Sequence, residues 1–212
     1  MKRLFKTILA VLLSVIPNPQ HPQYQAEGLH LRWRIGWLKA RWCLLSYRLR
    51  ASVGGTRLMV GKRFSVLGRL RLRGAGQVIF GDDVIIGALT DIFTHDTDAT
   101  VWVGHRSFLN GARISAVKLI EIGDDAIIAD VRMMDTDFHS VSKRRQFKDA
   151  PVLVKPIHIK NNVWIAAGAA VLKGVTIGEN SMIGFGSVVV KDIPANVVAS
   201  GNPCQEIAPV RE

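Results

Sequence analysis

A chain of 212 residues, 48% hydrophobic and 21% charged, can bury a core without disulfides and is too apolar to be disordered. Its two cysteines, Cys43 and Cys204, exclude a disulfide framework and a four-thiolate zinc site and fit a reducing compartment. The net charge of +11 is uneven: residues 1–73 hold 15 Lys and Arg against the single acid Glu27, and residues 74–212 hold 13 against 16 acids. A basic first third seeks phosphate, as nucleic acid or anionic lipid, and no nucleic-acid-binding motif accompanies it.

Lys2, Arg3 and Lys6 precede an apolar run ending at Ile16, shorter than the ~20 residues that span a bilayer. On a helical projection Leu4, Phe5, Ile8, Leu9, Val11, Leu12, Val15 and Ile16 share one side and the basic residues the other, with Leu13 out of place. A helix lying in a membrane surface reads this way. A helix docked on its own protein and a cleaved signal peptide are the alternatives. Residues 18–30, with Pro19, Pro22 and Gly28, read as a linker.

A second helix is predicted over 31–50. It carries an aliphatic stripe (Leu31, Ile35, Leu38, Trp42, Leu45, Leu49) and, opposite, a second stripe of Trp33, Trp37, Ala40, Leu44 and Tyr47. Ridges of Arg34, Arg41 and Arg48 and of Arg32, Lys39 and Arg50 separate them. Two stripes ask for two apolar neighbours. The aliphatic stripe is expected on protein and the Trp/Tyr stripe at lipid headgroups; burial of both in an oligomer is the alternative. Residues 1–57 are therefore expected to form a basic helical extension, with a membrane surface as partner, and residues 58–212 a separate domain.

From residue 159 every sixth position is branched and apolar: Ile159, Ile165, Val171, Ile177, Ile183, Val189. Ile, Leu and Val total 61 residues, so six in register by chance has odds of roughly 6 in 10,000 per frame. The pattern recurs upstream with slips, as Val60, Val66, Leu72; Phe80, Ile86, Ile92; Val103, Leu109; and Ile122, Ile128, Met134. A period of six fits neither a helix nor a long alternating strand. It fits a short strand and a turn, stacked three to a coil as a mainly β parallel solenoid of about six coils. Residues 136–156, with Lys143-Arg144-Arg145 and Pro151, break the period and are expected to leave the solenoid as a loop, a common place for function.

These residues resemble the hexapeptide-repeat acyltransferases. Asp135 to Ile207 is similar to the maltose, galactoside and nodulation-factor O-acetyltransferase group. The carrying residues are Asp135-Thr136-Asp137-Phe138-His139, Asn161-Asn162-Val163-Trp164-Ile165, Gly174-Val175-Thr176-Ile177-Gly178, Ile183-Gly184-Phe185-Gly186-Ser187, Lys191-Asp192-Ile193-Pro194 and Gly201-Asn202-Pro203-Cys204. The basic N-terminal third resembles acetyltransferases of capsule, exopolysaccharide or O-antigen assembly. The resemblance implies a left-handed β-helix, acetyl-CoA as acyl donor, and a homotrimer with active sites between subunits.

Acyl transfer to a hydroxyl needs a base, donors for the oxyanion, and alignment of thioester with acceptor. Imidazole suits the first role, with an unperturbed pKa of about 6.5. Of His21, His30, His95, His105, His139 and His158, His139 occupies the family's base position by resemblance. Asp135 and Asp137 precede it by four and two residues. Alternation along a strand would put both on its face, and Asp137 is favoured as the carboxylate fixing its tautomer; a solvated acidic turn is the other reading. Asn110 resembles a residue lining the acceptor site, or holds a corner of the solenoid.

Trp164, Ala167, Phe185, Gly186, Val190 and Lys191 stand where relatives contact coenzyme A. Phe185 replaces a usually small residue, and Gln205 stands where a phosphate-binding Arg or Lys is common. Lys143, Arg144 and Arg145 are candidates for phosphates of coenzyme A or of a lipid-linked acceptor. No metal is expected, since nothing near His139 completes a three-histidine zinc set. The expected activity is acetyl-CoA-dependent O-acetylation of a surface-polysaccharide or lipid-linked saccharide precursor. The expected place is the cytoplasm, peripheral on the inner face of a bacterial cytoplasmic membrane. An N-acetyltransferase acting on an amino-sugar nucleotide and a non-catalytic membrane-docked β-helix are the alternatives.

Overall fold

In a computed structural model, residues 29–51 and 53–211 are described; the apolar run to Ile16 and most of the linker lie outside them. Among the described residues one helix, α1 (Leu29–Ala51), precedes eighteen short strands. They wind into the mainly β parallel solenoid expected from the repeat, left-handed as the resemblance implies, in about seven turns where six were expected.

Each turn has three faces. The first stacks β1 (Arg57–Val60), β4 (Gln77–Phe80), β7 (Thr100–Val103), β9 (Leu119–Ile122), β11 (Ile157–Ile159) and β14 (Thr176–Ile177). The second runs from β2 (Ser65–Val66) and β5 (Ile85–Ile86) through the first halves of β8 (Phe108–Ala116) and β10 (Ile127–Met134). It continues to β12 (Trp164–Ile165), β15 (Met182–Ile183) and β17 (Val197–Gly201). The third stacks β3 (Arg69–Gly74), β6 (Leu89–Thr94), the second halves of β8 and β10, β13 (Ala170–Leu172) and β16 (Val188–Val189). All these pairings are parallel; only β18 (Cys204–Pro209) returns antiparallel, on β17.

The six-residue frame is the core. Ile159, Ile165, Val171, Ile177, Ile183 and Val189 are all buried, and so are Val163, Ala169, Val175, Ser181, Ser187 and Ile193 four residues after each. Asn162, Asn180 and Asn196 take left-handed backbone conformations at the corner between first and second faces. Asparagine tolerates that conformation because its short amide bonds locally. The amides form a ladder, Asn162 Nδ2 donating to Asn180 Oδ1 and Asn180 Nδ2 to Asn196 Oδ1, both at 2.9 Å. Upstream the same corner is held by Arg63–Asp83 and Arg106–Asp125 pairs on left-handed residues.

Upstream the frame slips by one residue. Met133, not Met134, points inward. Gly111 (φ 96°) and Asp130 (φ 42°) lie at the bend between the second and third faces in β8 and β10. The bend shifts the alternation, so Ile114 and Met133 fill the core.

Helix α1 reverses the expected assignment of its stripes. Trp33, Ala40, Leu44 and Tyr47 are buried against the solenoid, whereas Leu31, Ile35, Leu38, Leu45 and Trp42 (75% exposed) face outward. The reason is close approach: a Cβ at Gly36 would lie 2.5 Å from Leu67 Cδ2 and from Ser65 Oγ. A glycine between the two tryptophans lets their side of the helix reach the second face, where Trp33 covers Ile85. Further along, Lys39 Nζ donates to the carbonyl of Gly68, and Tyr47 Oη accepts the N–H of Leu72 at 2.8 Å. No helix among the described residues is long and apolar enough to cross a membrane.

Candidate active site

Strand β10 ends at Met134, and the chain leaves the solenoid until β11 resumes at Ile157. The excursion folds back on itself: Thr136 and Val154 form an antiparallel bridge, and the N–H of Lys155 donates to the carbonyl of Asp135 at 2.9 Å. The segment 135–139 is therefore no strand, and the alternation expected to align Asp135, Asp137 and His139 does not exist.

The two carboxylates have separate environments. Asp135 is fully buried, and its oxygens accept the N–H groups of Val117 (2.8 Å), Lys118 (2.7 Å) and Leu119 (2.9 Å). Three backbone donors occupy it as a clamp on the preceding turn, so it orients the loop rather than the imidazole. Asp137 Oδ1 pairs with Lys173 Nζ at 2.6 Å, and its Oδ2 is buried without a partner. A buried acceptor without a donor costs about 1–3 kcal/mol, so Asp137 holds a vacant acceptor two residues before His139. Lys173 escaped the sequence reading; it follows β13, on a coil whose place beside the loop base is set by pairing of β13 with β10.

His139 is exposed, and no hydrogen bond or ion pair engages its ring among the described residues. Other imidazoles have structural duties. His105 Nδ1 accepts the N–H of Asp82 at 3.0 Å. His158 Nδ1 lies 2.7 Å from Glu121 Oε2. His95 is held between Phe93 (ring centroids 3.8 Å apart) and Phe138 (4.8 Å). Burial pushes its pKa below the ordinary imidazole value; Asp135 opposes and Arg73 assists the shift. His95 thus braces the residue next to His139.

Phe138 also lines a cleft of about 250 Å³ with Arg113, Ser115, Arg132, Met133 and Met134. Arg113 and Arg132 were not singled out from the sequence; they meet because β8 and β10 pair in register, which the slipped frame conceals. Asn110 lies exposed on β8 beside Ala129 of β10. The outer space at Gly87 is filled by the Phe108 ring and Asn110 Oδ1. Arg144 and Arg145 are exposed in the loop, Arg144 over the Phe147 ring (4.6 Å) and Arg145 Nε donating to the carbonyl of Ser142 (3.3 Å).

The residues read as coenzyme A contacts fall on two corners of the C-terminal turns. Ala167 and Gly186 meet at one, where the N–H of Gly186 donates to the carbonyl of Ala167 at 3.0 Å. Phe185 (79% exposed) stands at the same corner, and Trp164, half exposed, begins the strand leading into it. A Cβ at Gly186 would meet nothing within 4 Å. Val190 and Lys191 are exposed at the next corner, after β16. No group of three or more metal-ligating side chains occurs among the described residues.

The family model of the bacterial transferase hexapeptide (six repeats) matches residues 156–191. A Saccharomyces cerevisiae protein named as an acetyltransferase, YJL218W, is 35% identical over 136 residues, spanning 60% of this chain and 68% of that protein. The chain belongs to the hexapeptide-repeat acetyltransferases. Within this family it is 43% identical over 93 residues to the galactoside O-acetyltransferase of Escherichia coli K12, across 44% of this chain. That match spans less than half (45%) of the relative's length. In fold it resembles a hexapeptide-repeat acetyltransferase of Vibrio cholerae O1 solved with acetyl-coenzyme A. The TM-score is 0.53 at 23% identity, covering 78% of this chain and 76% of that one.

Proposed function

We propose that this protein transfers the acetyl group of acetyl-CoA to a hydroxyl of a saccharide. His139 is the general base. The acceptor hydroxyl gives its proton to the imidazole as its oxygen attacks the thioester carbonyl. The tetrahedral adduct collapses by breaking the carbon–sulfur bond, and the imidazolium returns the proton to the leaving thiolate. Asp137 Oδ2, a buried acceptor without a donor, orients the imidazole by taking its N–H and stabilises the imidazolium. The donor arm lies along the corners bearing Trp164, Ala167, Phe185, Gly186, Val190 and Lys191. Asn110 contacts the acceptor, and the Arg144–Arg145 segment meets phosphate. The observation that carries this reading is His139 itself, an exposed imidazole that no hydrogen bond or ion pair engages among the described residues, next in sequence to the cleft residue Phe138, in a chain similar to galactoside O-acetyltransferase.

The exposed side chains of Phe185, Trp164 and Ile207 support a homotrimer in which neighbouring chains cover them. The outward stripe of α1, with Leu31, Ile35, Leu38, Trp42 and Leu45 between Arg32 and the Arg41–Arg48 ridge, supports peripheral attachment to an anionic membrane, the inner face of a bacterial cytoplasmic membrane.

Label transfer from radioactive acetyl-CoA to extracted glycolipids and oligosaccharides tests the reaction. Wild type should label an acceptor, and His139→Ala should lower kcat about 10²–10⁴-fold with an unchanged circular dichroism spectrum. Equal labelling by both would remove His139 from the role.

A further inference from the structure

The third face of the solenoid carries a ladder of outward side chains: Arg71 stands beside Asp91, Asp91 beside Arg113, and Arg113 beside Arg132. In-register neighbours on adjacent strands lie about 4.8 Å apart. Asp91 is taken by Arg73, which reaches it through Nε (3.3 Å) and a terminal nitrogen (2.7 Å), and it forms no ion pair with Arg71 or Arg113 among the described residues. Arg113 and Arg132 are exposed, and neither makes an ion pair or hydrogen bond among the described residues. Asp91 and Asp130 line an adjoining groove with the two arginines, and neither carboxylate pairs with them.

Like charges directly opposite on adjacent strands repel, and an anion between the two guanidinium groups relieves that repulsion. Two guanidinium groups one strand apart present paired N–H donors suited to an oxyanion, which each can bind in bidentate fashion. Both line the cleft that Phe138, the residue before His139, also lines. Ser115, Met133 and Met134 complete the lining, offering one hydroxyl and an apolar surface, as a sugar ring requires.

We propose that Arg113 and Arg132 form a subsite for an anionic group on the acceptor, making the preferred acceptor an acidic saccharide. This rests on the acceptor reading of the cleft beside His139. The anion is a carboxylate of a sugar acid or a phosphate of a sugar carrier; both present the oxygens that the pair binds.

The test is calorimetric titration of the full chain with hexagalacturonate as carboxylate probe, uridine diphosphate as phosphate probe, and maltohexaose as neutral control. Acetyl transfer to the same sugars is measured in parallel. One anionic probe should bind at least about tenfold tighter than maltohexaose, and the probe that does so identifies the anion. Arg113→Gln and Arg132→Gln should each weaken it about tenfold or more, with Arg113→Lys intermediate and Lys160→Gln, an exposed charge on another face, without effect. Thermal midpoints check that the variants fold. The subsite is overturned if neither anion is preferred to maltohexaose, or if Lys160→Gln weakens binding as much as Arg113→Gln. Selective anion binding that the two variants abolish, with no acetyl transfer to any sugar, would retain the subsite and sink the transferase. Transfer to neutral sugars unaffected by either variant, without anion preference, would do the reverse.

Discussion

Between Ile159 and Val189 every sixth residue is buried, and the corners are tied by the neutral ladder Asn162–Asn180–Asn196. Between Leu58 and Met133 the frame slips at Gly111 and Asp130, and the corresponding corners are tied by Arg63–Asp83 and Arg106–Asp125. The outward surfaces differ in the same sense. The regular half exposes Trp164, Phe185 and Val190 at its corners, while the irregular half exposes arginines along its third face. A strict repeat fixes inward positions and turns only, so its outer surface is free to be small or apolar. The slip moves the alternation by one residue, and the irregular half carries the arginine pair and the departure of the His139 loop.

Three measurements would break or sharpen this contrast. The largest effect belongs to the regular core. Ile165→Ala should cost about 2–5 kcal/mol, because neighbouring turns leave no freedom to collapse around the deleted atoms; urea unfolding measures it. A loss below about 1 kcal/mol would mean that the regular half tolerates defects as a loose stack.

The corner ladders come next. Asn180→Ala removes both amide links and puts alanine in a left-handed conformation, costing about 1–3 kcal/mol, insensitive to salt. Arg106→Gln cuts a pair whose two side chains are about half exposed. It should cost at most about 1 kcal/mol and less still in 1 M salt. Thermal midpoints at low and high salt separate the two, and equal salt dependence would erase the distinction.

The smallest effect is a pH dependence in the irregular half. His95, in ring contact with Phe93 and Phe138, titrates below its ordinary value through partial desolvation, which Asp135 opposes and Arg73 assists. Below about pH 6.5 the unfolded chain therefore binds the proton first. Stability is intact above that pH and falls as pH drops through the unfolded value toward the lowered folded one. His95→Phe should lose less of its thermal midpoint between pH 8 and pH 5 than wild type. Superimposed profiles would show that His95 contributes nothing to the acid response.

The regular half was legible because each of its anchors is a residue type that declares burial. The slip was not, because the second bend residue is Asp130 rather than glycine, so nothing in the sequence marks its left-handed backbone. That one residue accounts for two misreadings: Met134 taken as an anchor in place of Met133, and Arg113 and Arg132 never seen as neighbours. Asp135 was misread for a different reason. Its carboxylate serves three backbone N–H groups of another turn, and no spacing within its own segment encodes that. Both stripes of α1 were legible. Which one packs was decided by Gly36, whose missing side chain lies on the Trp33–Ala40 side.

Helix α1 lies over the first turn, where Lys39 takes the carbonyl of Gly68 and Tyr47 takes the N–H of Leu72. Those backbone groups belong to the open rim of a parallel stack. A stack of identical parallel strands has no inherent stopping point, because each turn presents the next with the same unpaired template. The helix ends that series by putting side chains where another strand would hydrogen-bond. A chain cut back to residue 56 would keep its repeats and expose that rim, while β18 still closes the other end on β17, so two such chains would pair rim to rim. The basic helix is therefore also a cap, keeping the first turn from serving as a template for another strand.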